Sequence, residues 1–287
     1  MDIDANTALY AVFGDPVAHS LSPVMHNRAF SHVGFNGVYV AFQVKNVAGA
    51  VTGIKALGIK GASITIPHKV TIMPHLDHID DGAAKIGAVN TVQNRDGVLY
   101  GFNSDGLGAV RALMDKTSIK DKTVWIIGAG GTARAIGFGI IDEGGRVTII
   151  NRTVKKGEQL AKDLGADFKP LSKNIRLNCQ VLINTTSVGM TPHVDETPVS
   201  APQMEEGMVV MDAVYNPIKT RLLREAEAAG CITIDGTNMF IYQGAFQFEL
   251  WTGVAAPVEE MRQAVLESIA RSAESREQSA SRHRSGG

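Results

Sequence analysis

The feature that most constrains the fold is a glycine-rich segment that directly follows a run of apolar residues. Residues 123–127 (Thr-Val-Trp-Ile-Ile) have the composition of a buried strand, and residues 128–133 (Gly-Ala-Gly-Gly-Thr-Ala) come next, before a helical pattern. In this order, the loop's backbone N–H groups and the helix N-terminus can hold a pyrophosphate. A glycine pattern is weak evidence in a chain with 30 glycines. The strand before it and the helix after it nevertheless favour a dinucleotide site.

Short apolar runs alternate with helical patterns along most of the chain, which predicts an α/β fold. Many runs are continuous and rich in Val and Ile, as in parallel strands that are buried on both faces. Residues 95–97 (Arg-Asp-Gly) have hairpin-turn chemistry, which predicts one antiparallel pair. The predicted strands are Leu9–Phe13, Val38–Phe42, Ala62–Ile66, Val89–Gln93, Val98–Phe102, Thr123–Ile127, Val147–Ile150, Val181–Asn184, Val209–Ala213 and Ile232–Asp235.

Helix starts are predicted from serine and proline positions. Ser22 is expected to be an N-cap, with Pro23 at the first helical position. Pro257 is expected to open the last helix, near Val258–Arg271.

Length and composition indicate a globular protein of two domains. The chain has 287 residues, of which 44% are hydrophobic, and its 28 basic and 29 acidic residues give a formal net charge of −1. This balance provides no general attraction for nucleic acid or anionic membranes, so neither is an expected partner. Cys179 and Cys231 are isolated, which is typical of a reducing compartment such as the cytoplasm. The sequence does not distinguish between a monomer and a homodimer as the oligomeric state.

The middle of the chain forms a self-contained β-α-β pattern, whereas the flanking segments do not. We therefore predict a dinucleotide-binding domain over residues 106–237, inserted into a substrate-binding domain of residues 1–105 and 238–271. The C-terminal helices are expected to pack back on the N-terminal part. Residues 272–287 are rich in Ser, Arg and Glu and are predicted to be disordered, with a nucleic-acid-binding tail as a less favoured alternative.

The residues after the next strand indicate which cofactor is used. Val147–Ile150 is followed by Asn151-Arg152-Thr153, and Arg152 lies 24 residues after Gly128. An NAD site usually has an acidic residue there, which accepts from the ribose hydroxyls. Arg152, with Lys155 and Lys156 close behind, would instead attract a 2′-phosphate. The segment favours NADP over the alternative of a solvated basic helix start.

Two polar segments at the ends of strands contain candidate acid–base residues. Lys69 ends the segment Ser63–Lys69, and Asp105 lies in Asn103–Gly106, 36 residues further on. Ligands of α/β sheets bind beyond the carboxyl ends of strands, so these side chains could act together. Taken separately, Lys69 would be a surface lysine and Asp105 an N-cap. The histidine spacings indicate no metal site, and no G-x-S-x-G serine-hydrolase motif occurs.

Taken together, seven motifs between residues 14 and 253 resemble the shikimate dehydrogenase family. They are residues 14–23 (GDPVAHSLSP), 65–69 (TIPHK), 87–91 (GAVNT), 103–106 (NSDG), 151–153 (NRT), 212–217 (DAVYNP) and 239–243 (MFIYQ). The resemblance implies a Rossmann-like doubly wound NADP-binding domain. It also implies NADPH-dependent, reversible reduction of 3-dehydroshikimate to shikimate, within the biosynthesis of chorismate and aromatic amino acids.

The resemblance assigns roles to individual residues. Lys69 and Asp105 are the implied catalytic pair, and the serines of the first motif are implied to bind the substrate carboxylate. The implied substrate-binding residues are Ser20, Ser22, Thr65, Asn90, Asp105, Tyr215 and Gln243. The implied cofactor-binding residues are Gly128, Gly130, Gly131, Thr132, Ala133, Asn151, Arg152, Thr153, Lys156 and Met239.

The chain departs from the family pattern at two positions, and two alternative functions follow from the resemblance. Ser63 stands where many members have Asn, and Asn238 stands where Gly is common. The nearest alternative is a quinate/shikimate dehydrogenase with dual substrates or NAD use, which Ser22 and Arg152 disfavour. A non-catalytic sensor of such metabolites is disfavoured because Lys69 and Asp105 are both present.

Overall fold

The computed structural model describes residues 3–173 and 175–285, with the side chains of the last helix described to residue 272. The chain divides into two compact units. One comprises residues up to 79, 89–101 and 247 onward, and the other comprises residues 80–88 and 102–246. The predicted boundaries differ in the assignment of residues 80–88, 102–105 and 238–246, and that functional division stays a prediction.

Twelve strands and nine helices are present in the described ranges. The strands are β1 (Ala8–Gly14), β2 (Gly37–Gln43), β3 (Gly61–Ile64), β4 (His78–Ile79), β5 (Thr91–Arg95), β6 (Val98–Phe102), β7 (Thr123–Ile127), β8 (Arg146–Asn151), β9 (Asp167–Pro170), β10 (Val181–Asn184), β11 (Val209–Asp212) and β12 (Ile232–Ile234). The helices are α1 (Ser22–Val33), α2 (Val47–Ala56), α3 (Asp81–Ile86), α4 (Asp105–Met114), α5 (Gly131–Asp142), α6 (Val154–Leu164), α7 (Arg221–Ala228), α8 (Gly236–Thr252) and α9 (Val258–Ser285).

All ten predicted strands occur, and two strands were not predicted. β4 has two residues, too few to show a hydrophobic pattern. β9 (Asp-Phe-Lys-Pro) is mostly exposed at the edge of its sheet. Edge strands of this kind lack the apolar composition on which strand prediction depends.

The first sheet has the strand order β2-β1-β3-β5-β6-β4. β1 pairs in parallel with β2 and β3, whereas β3 pairs antiparallel with β5, with Ala62 opposite Val92. The turn between β5 and β6 has positive φ at both Asp96 (51°) and Gly97 (93°), as two-residue hairpin turns require. Because β5 and β6 are hydrogen-bonded neighbours joined by this short turn, the predicted hairpin is confirmed.

The second sheet, β12-β11-β10-β7-β8-β9, is parallel throughout and confirms the predicted doubly wound fold. Side chains of β7 alternate between two cores. Val124 and Ile126 face one apolar cluster, while Trp125 and Ile127 face the other. The strand order reverses between β7 and β10, which is where ligands bind in folds of this kind.

The start of α1 differs from the prediction. Ser22 is the first helical residue, and Leu21 precedes it without a side-chain cap. The predicted N-cap role of Ser22 is therefore wrong. The serine two residues earlier takes part instead, because Ser20 Oγ accepts a hydrogen bond from the Ser22 N–H at 3.3 Å.

The last helix packs back on the N-terminal part of the first unit, as predicted. Arg28 of α1 donates to Glu267 of α9 at 2.9 Å. The helix continues to Ser285, beyond the predicted end at Arg271, because Glu, Gln, Arg and Ala favour helix. The side chains from residue 273 on, and residues 286–287, lie outside the described residues, so the predicted disorder of 272–287 stays a prediction. Within the described part of the chain, no helix combines the length and apolar character that crossing a bilayer requires.

Candidate active site

The glycine loop lies at the carboxyl end of β7 and has the shape of a phosphate cradle. Gly128 has φ 121°, and a Cβ there would lie 2.3 Å from Thr185 Oγ1, so this position requires glycine. Gly130 caps α5 and Gly131 opens it. A Cβ at either would meet nothing within 4 Å, which leaves open space beside the helix N-terminus. Ala133 is fully buried, and the whole loop fits a bound pyrophosphate.

The basic segment after β8 is held next to this loop. The Gly128 N–H donates to Ile150 O at 2.8 Å, and Arg152 follows two residues later. Asn151 Nδ2 donates to Thr153 O at 2.8 Å and so shapes the turn into α6. Arg152, Thr153 and Lys156 are all exposed. Two cationic side chains are thus available to an anionic ligand that enters at the loop.

A buried carboxylate organises the ends of β10 and β11. Asp212 is fully buried and accepts hydrogen bonds from Asn184 Nδ2 (2.9 Å), the Val214 N–H (3.0 Å) and the Thr220 hydroxyl (2.7 Å). These bonds fix the start of the loop that carries Tyr215, which packs on Phe240 with ring centroids 5.3 Å apart. No role of Asp212 was predicted from the sequence. Its place at the end of a buried strand was the available signal.

Burial also makes Asp212 sensitive to pH. Burial raises the pKa of its carboxyl from 3.8 to about 6, and the three hydrogen bonds only partly oppose this. Between these pH values the folded state retains a proton that the unfolded state has lost, so stability falls as pH rises through this range.

We expect Asp212→Asn to remove this pH dependence. Relative to the variant, the wild type should lose about 2 kcal/mol of unfolding free energy between pH 4 and pH 7. Chemical denaturation of both proteins across this range measures the difference. Asp142→Asn, at an exposed position, is the control and should follow the wild-type curve. Parallel curves for wild type and Asp212→Asn would show that Asp212 titrates alike in the folded and unfolded states.

Asp105 and Gln243 are linked within the second unit. Asp105 is the first residue of α4 and is 7% exposed, and its N–H donates to Asn103 Oδ1 at 3.0 Å. The buried Ser104 hydroxyl contacts Gln243 Oε1 at 3.4 Å. α4 and α8 can approach this closely because position 108 is glycine: a Cβ there would lie 2.7 Å from Met239 O.

Met239 itself lies mainly in the apolar core of the second unit, with 7% of its surface exposed. Its predicted contact with the cofactor stays a prediction.

The first unit holds the remaining predicted site residues. Lys69 is half-buried, so it is not an ordinary exposed lysine, and its carbonyl accepts from the Val89 N–H at 2.8 Å. This bond ties Lys69 to the segment that carries Asn90. The preceding residue, His68, is buried with Nε2 2.7 Å from Val44 O, which anchors the same loop.

Thr65 and the two serines belong to the same unit. The Thr65 N–H donates to Phe13 O at 2.9 Å, which places Thr65 beside the carboxyl end of β1. Ser20 and Ser22 lie at the start of α1, and Ser22 is 5% exposed.

Three segments of the chain match known protein families. Residues 12–92 match the shikimate dehydrogenase substrate binding domain, residues 111–235 match shikimate / quinate 5-dehydrogenase, and residues 236–266 match the shikimate 5'-dehydrogenase C-terminal domain. The shikimate dehydrogenase (NADP(+)) of Methanopyrus kandleri is 47% identical over 287 residues, covering 94% of this chain and 98% of that protein. This chain belongs to the shikimate dehydrogenase family.

Solved shikimate dehydrogenases have the same fold. One, crystallised in complex with NADP+, superimposes with a TM-score of 0.90 at 44% identity, covering 93% of this chain and 98% of that one. The enzyme of Thermus thermophilus in complex with NADP(H) and shikimate has a TM-score of 0.86 at 36% identity, covering 91% of this chain and 99% of that one.

The departure from the shikimate dehydrogenase pattern at Asn238 has a local explanation. Asn238 Nδ2 donates to Asp235 Oδ2 at 3.2 Å, across the first turn of α8. The side chain thus joins the start of the helix to the loop before it.

Proposed function

We propose that this protein catalyses the NADPH-dependent, reversible reduction of 3-dehydroshikimate to shikimate. Membership of the family supports the reaction. The observation that carries the choice of cofactor is the position of Arg152, two residues after the backbone bond between Ile150 and the glycine loop. A guanidinium at this place suits a 2′-phosphate, where an NAD site would have a carboxylate.

The geometry of the glycine loop and of the basic segment after β8 indicates which residues would hold the cofactor. Gly128, Gly130 and Gly131, with the start of α5, would hold the pyrophosphate, while Arg152, Thr153 and Lys156 would hold the 2′-phosphate. Bound NADPH supplies the hydride that attacks the C3 carbonyl carbon of the substrate.

In the proposed chemistry, Lys69 stabilises the negative charge that develops on the C3 oxygen and delivers a proton to it. Asp105 acts in the same reaction as the acid–base partner of Lys69. Ser20 and Ser22 donate hydrogen bonds to the substrate carboxylate, aided by Thr65. Asn90, Asp105 and Gln243 bind the ring hydroxyls, and Tyr215 contacts the substrate.

The proposal also concerns the cellular compartment and the oligomeric state of the protein. Cys179 and Cys231 are both free thiols, which suits the cytoplasm. We propose a cytoplasmic enzyme that acts on small molecules as a monomer or a homodimer, without a nucleic-acid partner.

Substrate preference tests the proposed function directly. Quinate carries an extra hydroxyl on C1, the carbon that bears the carboxylate. A pocket shaped for the flat C1 of shikimate would bury that hydroxyl unpaired, at a cost of about 1–3 kcal/mol. We expect kcat/KM with NADP to favour shikimate over quinate by about tenfold or more. Steady-state kinetics with both acids, each with NADP and NAD, measure this ratio.

Two other results of these kinetic measurements would each indicate a different function. Similar kcat/KM values for the two acids would favour the dual-substrate quinate/shikimate dehydrogenase. Binding of shikimate without turnover would indicate a non-catalytic sensor.

A further inference from the structure

A network of buried polar side chains crosses the interior of the first unit, and four of its five members have no role in the proposed reaction. It joins Tyr39 on β2, Ser63 on β3, Gln247 on α8 and Thr91 on β5, and it ends at Asn90. Each of these residues is at most 7% exposed. Buried polar groups are costly unless they are hydrogen-bonded, so a network of this size is expected to serve a purpose.

The contacts form a continuous series. The Tyr39 hydroxyl donates to Ser63 Oγ at 2.6 Å, and the Ser63 hydroxyl donates to Gln247 Oε1 at 2.8 Å. Gln247 Nε2 donates to Thr91 Oγ1 at 2.8 Å and to the backbone oxygen of Asn90 at 3.2 Å. The Thr91 hydroxyl then donates to Asn90 Oδ1 at 2.7 Å.

The directions of these bonds follow from the chemistry of the groups. A backbone carbonyl only accepts, so the Gln247 atom that faces Asn90 O must be the nitrogen. Thr91 Oγ1 therefore accepts from Gln247 Nε2, and the Thr91 hydroxyl donates to Asn90 Oδ1. The hydroxyl proton requires an acceptor, which identifies the facing atom of Asn90 as Oδ1.

The other end of the series is equally constrained. Gln247 Oε1 only accepts, so it takes the proton of Ser63, and Ser63 Oγ accepts from Tyr39. Burial raises the pKa of the Tyr39 phenol, which keeps its proton as the donor. His26 stacks on Tyr39 with ring centroids 4.5 Å apart, and burial lowers its pKa to about 3. The network is therefore neutral at physiological pH, and its bond directions do not change there.

The fixed directions determine which end of the Asn90 carboxamide lies toward Thr91. The terminal torsion of an asparagine is broad and roughly two-fold, so an unsupported carboxamide samples both orientations. Here Oδ1 is held by Thr91, and Nδ2 lies on the opposite side of the carboxamide as a donor. A substrate hydroxyl that meets this end must accept a hydrogen bond.

We infer that Gln247 is a positioning residue that acts through Thr91 to hold Asn90 as a hydrogen-bond donor for a ring hydroxyl of the substrate. The inference rests on the proposed function, because it takes Asn90 to be a substrate-binding residue. Ser63 takes part in the series as the acceptor of the Tyr39 hydroxyl and the donor to Gln247 Oε1.

Two substitutions break the series at different points. Gln247→Met keeps the length of the side chain but removes the donor and the acceptor, and Thr91→Val keeps the shape but removes the hydroxyl. We expect each to raise the KM for shikimate about 5- to 10-fold, the scale of one hydrogen bond. kcat and the KM for NADP should change less than twofold, because the Asn90 contact is made alike in the ground and transition states.

A double-mutant cycle separates this role from a general loss of stability. If both residues act through Asn90, the KM of Gln247→Met/Thr91→Val should equal that of either single variant, not the product of the two effects. Thr91→Ser keeps the hydroxyl and should retain the wild-type KM. Gln93 Nε2 donates to Leu250 O at 2.7 Å, outside the series. Gln93→Met is therefore the matched control and should leave the KM for shikimate unchanged.

Several outcomes would overturn the inference. KM values for shikimate within twofold of wild type in folded Gln247→Met and Thr91→Val would do so, as would multiplicative effects in the double variant. If Gln247→Met does not fold, as judged by circular dichroism, the pair Thr91→Val and Thr91→Ser decides the question alone. A wild-type protein that neither binds nor oxidises shikimate would overturn both proposals. If the wild type is active and the variants have an unchanged KM for shikimate, only the role of Gln247 is overturned.

Discussion

Lys69→Ala is expected to lower kcat by about 100-fold or more, the usual scale for the loss of a general acid–base group. The variant should fold normally and bind NADPH, because the cofactor-binding residues lie in the other unit. Steady-state assays of shikimate oxidation measure the loss of kcat. NADPH fluorescence titrations measure whether the variant still binds the cofactor. Asp105→Asn should have a similar effect, because it removes the charge and the proton acceptor while it keeps the shape.

The control for this prediction is another lysine of the same unit. Lys60 is exposed directly before β3, and Lys60→Ala should keep wild-type kcat. Near wild-type kcat for Lys69→Ala would make Lys69 a binding or surface residue and would contradict the proposed mechanism.

Arg152→Ala is expected to raise the KM for NADP by about tenfold or more and to leave the poorer NAD reaction nearly unchanged. A charge-assisted hydrogen bond to the 2′-phosphate is worth about 1.5–3 kcal/mol, and NAD has no such phosphate. Steady-state kinetics with both cofactors at saturating shikimate measure the effect.

The matched control lies on β8, the strand that directly precedes Arg152. Arg146 is exposed at the opposite end of β8, and Arg146→Ala should leave both KM values unchanged. Equal losses with NADP and NAD in Arg152→Ala would mean that Arg152 supports the fold and does not bind the phosphate.

Local sequence carried much of the information about the fold. The ten predicted strands were recognisable because buried parallel strands are continuous apolar runs, whatever they pair with. The glycine loop was recognisable because its spacing follows from backbone geometry within a few residues. Position 128, for example, must tolerate φ 121°. The identity of the family followed in the same way, because its motifs are short and contiguous.

Other features depended on residues that are distant in sequence. The buried Asp212 acquires its role from Asn184 and Thr220, which only the second sheet and its loops bring to it.

The sequence by itself determined the strands, the glycine loop and the residue types of the candidate site, since each depends on neighbours along the chain. The doubly wound topology was predicted from the family resemblance, because it depends on strand pairings between distant segments. Only the tertiary structure decided how the carboxamide of Asn90 is oriented. Ser63 and Gln247 are 184 positions apart, and their hydrogen bond forms because α8 packs against the first sheet. No local pattern encodes such a contact, because its energy depends on burial and on hydrogen-bond directions that exist only after the chain has folded.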